Sequence, residues 1–379
     1  MNQAYITQEH EIFRRSLRRF LEKEAVPYFE EWEKEGRVPR SFWLKMGEQG
    51  YICPWADEEY GGLNADYAYS VIIAEELDRV GTGLGSIGLH SDTVMPYISS
   101  FGSAEQKERW LPGAIKGELI SAIAMTEPGT GSDLQAIKTT AVRDGDHYIV
   151  NGEKTFSSNG IQADLVVLVC KTDSQAGHKG ISLLVVEDGT PGFTKGKQLK
   201  KVGQHSSDTS ELLFQDARVP VGNLLGEEGK GFYYLMEKLQ QERIQLTICM
   251  LASCERMLEL TVDYVKQRHV FGQPLSRFQN TQFKLAELAT EIKIGRTFVD
   301  QLIVSHMEKK NVVQEASMAK WWVTDLAKKV ASECMQLHGG YGYMEEYEIA
   351  RRLRDVQVGS IYAGTNEIMK VIIAKNMGL

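Results

Sequence analysis

The sequence is poor in features that tie a chain to a membrane, a nucleic acid or an oxidising compartment. Its five cysteines, Cys53, Cys170, Cys249, Cys254 and Cys334, are odd in number and form no C-x-x-C pair. That pattern argues against a disulfide framework and a zinc site, and a reducing cytoplasm is the expected setting. No apolar run approaches the ~20 residues of a membrane helix. The opening stretch Met1 to His10 is polar from the start, so neither a signal peptide nor a membrane span is expected. Lys and Arg number 43 against 51 Asp and Glu, a net charge of −8, with no long basic stripe. Nucleic acid is not an expected partner. His90, His269 and His338 stand apart from any H-x-x-x-H spacing, so no metal is expected either. Proline is missing from residues 221–273, which leaves room for one long uninterrupted helix.

What is present falls into three stretches, ample for a buried core in a chain of 379 residues. Residues 1–118 read as helices. Ile12, Phe13, Leu17, Phe20 and Leu21 recur at helical steps, with Arg14, Arg15, Arg18 and Arg19 on the other face. Those arginines read as a solvated face paired with Glu22 and Glu24. A second helix is expected from Asp66 to Asp78, and Ser103 with Gln106 forms a capping box for another. Between them, Gly81 to Gly88 contains a G-x-G-x-x-G match. The residues before it have helical rather than strand period, so a dinucleotide fold is rejected. Residues 119–226 change to strand grammar. Asp144-Gly145 marks a hairpin turn, Leu165 to Val169 and Ile181 to Val186 are buried-strand runs, and Ser210 to Phe214 ends at a turn-prone Val219-Pro-Val-Gly222. Residues 227–379 return to helices, expected near 232–268, 277–308, 315–337 and 365–375. The expected class is α+β: a helical domain, a middle β-sheet or barrel domain, and a C-terminal helical bundle.

Three places could carry chemistry. Ala124 to Asp133 is an apolar strand running into Thr-Glu-Pro-Gly-Thr-Gly-Ser-Asp. It reads either as an anion or cofactor loop or as an ordinary strand exit. On the long helix, Leu235, Leu239, Leu246, Cys249 and Ser253 make one stripe, and Glu242 falls within it. A carboxylate among aliphatics is desolvated and its pKa rises, which suits a general base near neutral pH. The competing reading is an ion pair with Arg243 or Arg256. Ile361 to Glu367 places glycine, hydroxyl and amide groups at a helix start, suited to an anion or carbonyl and equally to a plain Thr365 cap.

Taken together these stretches resemble the acyl-CoA dehydrogenases, flavoproteins that desaturate an acyl thioester. The resemblance runs essentially end to end. It is carried by MTEPGTGSD (Met125 to Asp133), NGEKTFSSNG (Asn151 to Gly160), QRHVFGQPL (Gln267 to Leu275), QLHGGYGY (Gln336 to Tyr343) and IYAGTNEI (Ile361 to Ile368). It implies FAD as cofactor, with Met125, Thr126, Ser132, Phe156 and Ser158 on the flavin. Phe156 and Ser158 stand where many members have tryptophan and threonine. The resemblance assigns Arg268, Phe271, Gln279, Gln336 and Gly340 to the ADP half of FAD across a subunit interface, and Thr365 and Glu367 to the pyrophosphate or ribose. It implies an acyl-CoA substrate beside Ser132, Arg243, Tyr362 and Gly364, a homo-oligomer built as a dimer of dimers, and an electron-transfer flavoprotein as acceptor.

One position departs from the pattern. Many members carry the catalytic glutamate directly before the Gly-Thr of the C-terminal loop, where this chain has Ala363. A minority, including the isovaleryl and long-chain branches, place the base on the long helix, and Glu242 matches that position. The wording LQQERI, KLAEL and QLHGGYGYMEEYEIA is most similar to the long-chain branch. The resemblance therefore implies Glu242 as base, with the Ala363 N–H and the flavin ribityl hydroxyl holding the thioester oxygen. Gly85 and Gly88 leave room for a long chain, whereas Asp92 would be awkward if it faced the pocket. The rival readings are an acyl-CoA oxidase and a non-catalytic protein that binds flavin or acyl-CoA.

Overall fold

Helix starts in the flanking regions are set by side chains that take up free backbone N–H groups. Thr7, Asp66, Ser103 and Thr365 accept from the amides of His10, Ala68, Gln106 and Ile368, donors that a first helical turn leaves open. The computed structural model describes residue 3 and residues 5–379. Its N-terminal elements are α1 (Gln8–Glu24), α2 (Phe29–Glu35), α3 (Arg40–Glu48), α4 (Tyr67–Val80), α5 (Gly85–Gly88), a π-helical turn (Leu89–Val94), α6 (Met95–Phe101) and α7 (Ala104–Ile115). The glycine-rich segment follows a helix, as its period implied, and among the described residues no strand precedes it.

The middle region is one curled sheet of β1 (Ser121–Ala124), β2 (Thr140–Asp144), β3 (His147–Ser158), β4 (Leu165–Lys171), β5 (Ile181–Glu187), β6 (Phe193–Gln198) and β7 (Thr209–Pro220). The strand order is β1-β4-β2-β3-β7-β6, with β5 on β4. β4 and β5 read as unbroken apolar runs because both of their faces are covered. Leu165, Val167, Val169, Leu183 and Val185 pack into the core of the N-terminal helices. Val166, Leu168, Cys170, Leu184 and Val186 pack with Tyr148, Leu212 and Phe214 on the other side.

The third region holds α8 (Gly231–Gln267), a short hairpin of β8 (His269–Val270) and β9 (Gln273–Pro274), α9 (Gln279–Met307), α10 (Val313–His338), α11 (Glu348–Asp355) and α12 (Asn366–Asn376). Freed of proline, α8 runs 37 residues, about 55 Å. It packs with α9 and α10, and α10 packs with α12. Among the described residues no helix is long and apolar enough to cross a membrane, and no metal-ligand cluster is found.

Several local expectations are corrected. Arg14 and Arg18 do not pair with Glu22 and Glu24 along their own helix. Arg14 reaches Glu75 at 2.7 Å, and Arg18 takes Glu76 with two nitrogens at 2.8 and 2.6 Å. Glu75 also receives Arg296 of α9 at 2.7 Å. Burial of α4 from both sides leaves its carboxylates needing cations from neighbouring helices. The hairpin turn centres on Gly145 and Asp146, since Asp144 already pairs with His147. β7 continues past Phe214 to Pro220, where a missing N–H at the last strand position is tolerated. Strand β6 and helix α11 carried no signal strong enough to be expected.

Candidate active site

The three regions close around a cavity of about 510 Å³. Glu242 enters it from α8, because a stripe that buries Leu235 and Leu239 against the core also turns this carboxylate inward. It is 9% exposed. Burial pushes its pKa up to about 7, against the lowering effect of a Tyr97 hydrogen bond and the Arg243 charge. The Tyr97 hydroxyl on α6 donates to Glu242 Oε1 at 2.8 Å, and Tyr97 is fully buried. No ion pair forms with Arg243 or Arg256: the latter is taken by Glu348 at 2.9 Å. Asp78 also lines the cavity but is locked to Arg352 at 3.1 Å, and Asp133 is exposed on its loop. Asp92 points away. It accepts from Ser70 at 2.6 Å and does not line the cavity.

Two cavity-wall residues hold left-handed backbone that side chains normally avoid, Phe156 at φ +59° and Ala363 at φ +53°. Phe156 keeps its ring 68% exposed at the wall. Ala363 N–H makes no hydrogen bond to another described residue. Its carbonyl accepts from Arg243 Nε at 3.5 Å. Buried lysines brace both loops. Lys320 donates to the Gly364 carbonyl at 2.6 Å and to Asn366 at 3.0 Å. Lys154 donates to the Met125 carbonyl at 3.0 Å and to Glu127 at 2.9 Å. Glu127 is further held by the amides of Lys138 and Thr139, at 2.6 and 2.9 Å. Burial opposes its charge, but these donors prevail and its pKa is lowered.

The expected residues divide between two places. Met125, Thr126, Ser132, Phe156, Ser158, Glu242, Arg243, Tyr362, Ala363 and Gly364 all line the first cavity. Arg268, Gln336 and Gly340 line a separate cavity of about 560 Å³ beside Tyr341. Phe271 is 96% exposed at the tip of the β8–β9 hairpin, and Gln279 is exposed at the start of α9. Thr365 and Glu367 line neither cavity; Thr365 caps α12 and Glu367 lies exposed in its first turn. Tyr97, Lys154, Glu127, Lys320 and Gln245 were missed. Their sequence signal is weak, because a lysine within an alternating strand or an amphipathic helix reads as exposed.

Comparison with known proteins gives the family. The sequence matches the acyl-CoA dehydrogenase N-terminal, middle and C-terminal domain families over residues 7–118, 122–217 and 229–378. It is 47% identical over 371 residues to the mitochondrial long-chain specific acyl-CoA dehydrogenase of Rattus norvegicus, covering 97% of this chain and 86% of that protein. An acyl-CoA dehydrogenase structure from Geobacillus kaustophilus superposes with TM-score 0.99 at 65% identity, covering 99% and 100% of the two chains. An acyl-CoA dehydrogenase from Bacillus anthracis, solved with FAD, gives TM-score 0.93 at 32% identity over 98% of this chain and 67% of that one. The chain belongs to the acyl-CoA dehydrogenase family. Its members are FAD enzymes, oxidoreductases acting on the CH–CH group of acyl-CoA. The residues present fit that cofactor: an unpacked aromatic face at Phe156 and the hydroxyls of Thr126 and Ser158 share one cavity wall.

Proposed function

We propose that this protein desaturates a long-chain fatty acyl-CoA to the trans-2-enoyl thioester, with Glu242 as the base. One observation carries the reading: Glu242 is the only buried carboxylate in the cavity wall, among the described residues, that no cation locks in place. Burial holds it poised to take a proton near neutral pH. Glu242 removes the α-proton of the bound thioester. That proton is poorly acidic, so the charge gathering on the carbonyl oxygen needs a donor, and the unpaired Ala363 N–H supplies one. Arg243 Nε donates to the Ala363 carbonyl, in the next peptide plane, and so braces the loop that carries that N–H. Bound FAD supplies the acceptor for the β-hydride. Phe156 walls the flavin side, and Thr126, Ser132 and Ser158 donate to it.

Gly85 and Gly88 support a long chain. Nothing lies within 4 Å of a Cβ built on Gly85, and only the Gln245 amide, at 3.8 Å, meets one on Gly88. The long-chain specificity of the rat relative points the same way. Arg268, Gln336 and Gly340, which line a cavity separate from the first, are proposed to serve the ADP half of a second copy's cofactor within a dimer of dimers. Thr365, Glu367, Phe271 and Gln279 are proposed cofactor contacts by resemblance, as is an electron-transfer flavoprotein as the acceptor.

Anaerobic mixing of the purified flavoprotein with palmitoyl-CoA tests the reading. Prompt bleaching of the flavin, abolished in Glu242→Gln with FAD retained, is the expected result. Near-normal bleaching in that variant overturns the base. No bleaching with short, long or branched thioesters overturns desaturation itself.

A further inference from the structure

Among the described residues, one buried side-chain nitrogen in the cavity wall has no partner. Gln245 lies one turn beyond Glu242 on α8, is 6% exposed and lines the cavity. Its Oε1 accepts from the Tyr67 hydroxyl at 3.1 Å. Tyr67 is itself packed edge-on against His306, with ring centroids 4.8 Å apart. Gln245 Nε2, by contrast, has no hydrogen-bond partner. The Tyr67 tether leaves that nitrogen at the wall facing α5, where it is the nearest atom to a side chain built on Gly88. Thr93 of the π-turn lines the same cavity. A plain alkyl chain lying here gives the amide hydrogen no acceptor, the cost of a hydrogen bond left unmade. Leucine or methionine would carry no such cost, so the glutamine is a choice against an all-alkyl ligand.

Resting on the reading of this cavity as the acyl site, we propose that Gln245 is a specificity-determining residue. It selects fatty acyl thioesters that bear a hydroxyl along the chain over the plain chain of equal length. A hydroxyl suits the site doubly: it accepts from Nε2, and it donates to Oε1 when the amide is turned end for end.

The test compares kcat/KM for anaerobic flavin reduction by palmitoyl-CoA and by hydroxyhexadecanoyl-CoAs with the hydroxyl stepped along the chain. One position is expected to be favoured by about tenfold, the worth of one neutral hydrogen bond. In Gln245→Met the ratio falls to about one. In Tyr67→Phe, which unties the amide without removing it, the preference spreads to neighbouring positions. A wild-type ratio at or below one everywhere, or a ratio unchanged in Gln245→Met, overturns the proposal. If no thioester reduces the flavin, the desaturation reading fails. Calorimetric Kd ratios for redox-inert acyl-CoA thioethers, plain and hydroxylated, then decide the role of Gln245 on their own by the same criteria.

Discussion

The hydrogen bond from Tyr97 to the proposed base makes a quantitative claim about pH. Glu242 sits in a buried wall that favours its neutral form, and the Tyr97 hydroxyl at 2.8 Å is the first influence working the other way. Arg243 is the second, and it is directed at the Ala363 carbonyl. Tyr97→Phe keeps the ring and removes only the donor. A hydrogen bond to a charged group is worth about 1.5–3 kcal/mol, which is about one to two pKa units. The carboxyl, about 7 in the native protein, therefore moves to about 8–9 in the variant. At pH 7 the ionised fraction falls from about one half to between about 9% and 1%, a drop of about five- to fiftyfold in kcat/KM for flavin reduction. The loss is recovered as pH rises past the new value, because a more basic carboxylate is an equally able proton acceptor once ionised. Stopped-flow flavin reduction between pH 6 and about 10, plotted as kcat/KM, reads the free-enzyme value directly. An acid limb still near pH 7 in Tyr97→Phe would refute the coupling. A uniform loss at every pH would show Tyr97 to be structural only.

Glu242→Gln should also raise stability while abolishing turnover. The native carboxyl titrates near 7 rather than at its ordinary 4.5, so between those values the unfolded chain has released a proton that the native state retains. Stability therefore falls as pH rises through that window, by up to about 3 kcal/mol, and the amide escapes the loss. Thermal unfolding at pH 5 and pH 8 should show the variant gaining on wild type only at the higher pH. Gly88→Leu should cut palmitoyl-CoA reduction by about 100-fold or more while sparing butyryl-CoA, because Gly88 lines the cavity and a Cβ there meets only the Gln245 amide. Equal losses for both substrates would remove α5 from the acyl wall. Lys154→Met should cost about 3–5 kcal/mol by stranding Glu127 in a buried position. It should loosen the Met125 loop, read as weakened FAD retention on gel filtration; a stable variant with tightly held FAD contradicts the bracing role.

Periodicity alone was enough to read the order of helices, strands and helices, because each region buries one face over many residues. The α8 stripe even exposed Glu242 as its odd member, since a carboxylate in an apolar repeat is visible without coordinates. Caps at Ser103 and Thr365 were legible for the same local reason. Signals that depend on sequence-distant partners were not. The arginines of α1 looked like a surface stripe until α4 supplied Glu75 and Glu76, some sixty residues away in the chain.

By itself the sequence determined the three-part architecture, the long helix and the residue types gathered for chemistry, since these follow from local propensity and spacing. The motifs carried the family as well. Only the tertiary structure decided that Glu242 meets Tyr97 rather than an arginine, that Asp92 turns out of the cavity, and that Arg268, Gln336 and Gly340 line a different cavity from Met125, Thr126 and Phe156. It also decided that Gln245 keeps one end of its amide unpaired. Each of these depends on which side chains arrive from other elements, and burial and hydrogen bonding there are properties of the assembled cavity, not of any one stretch of chain.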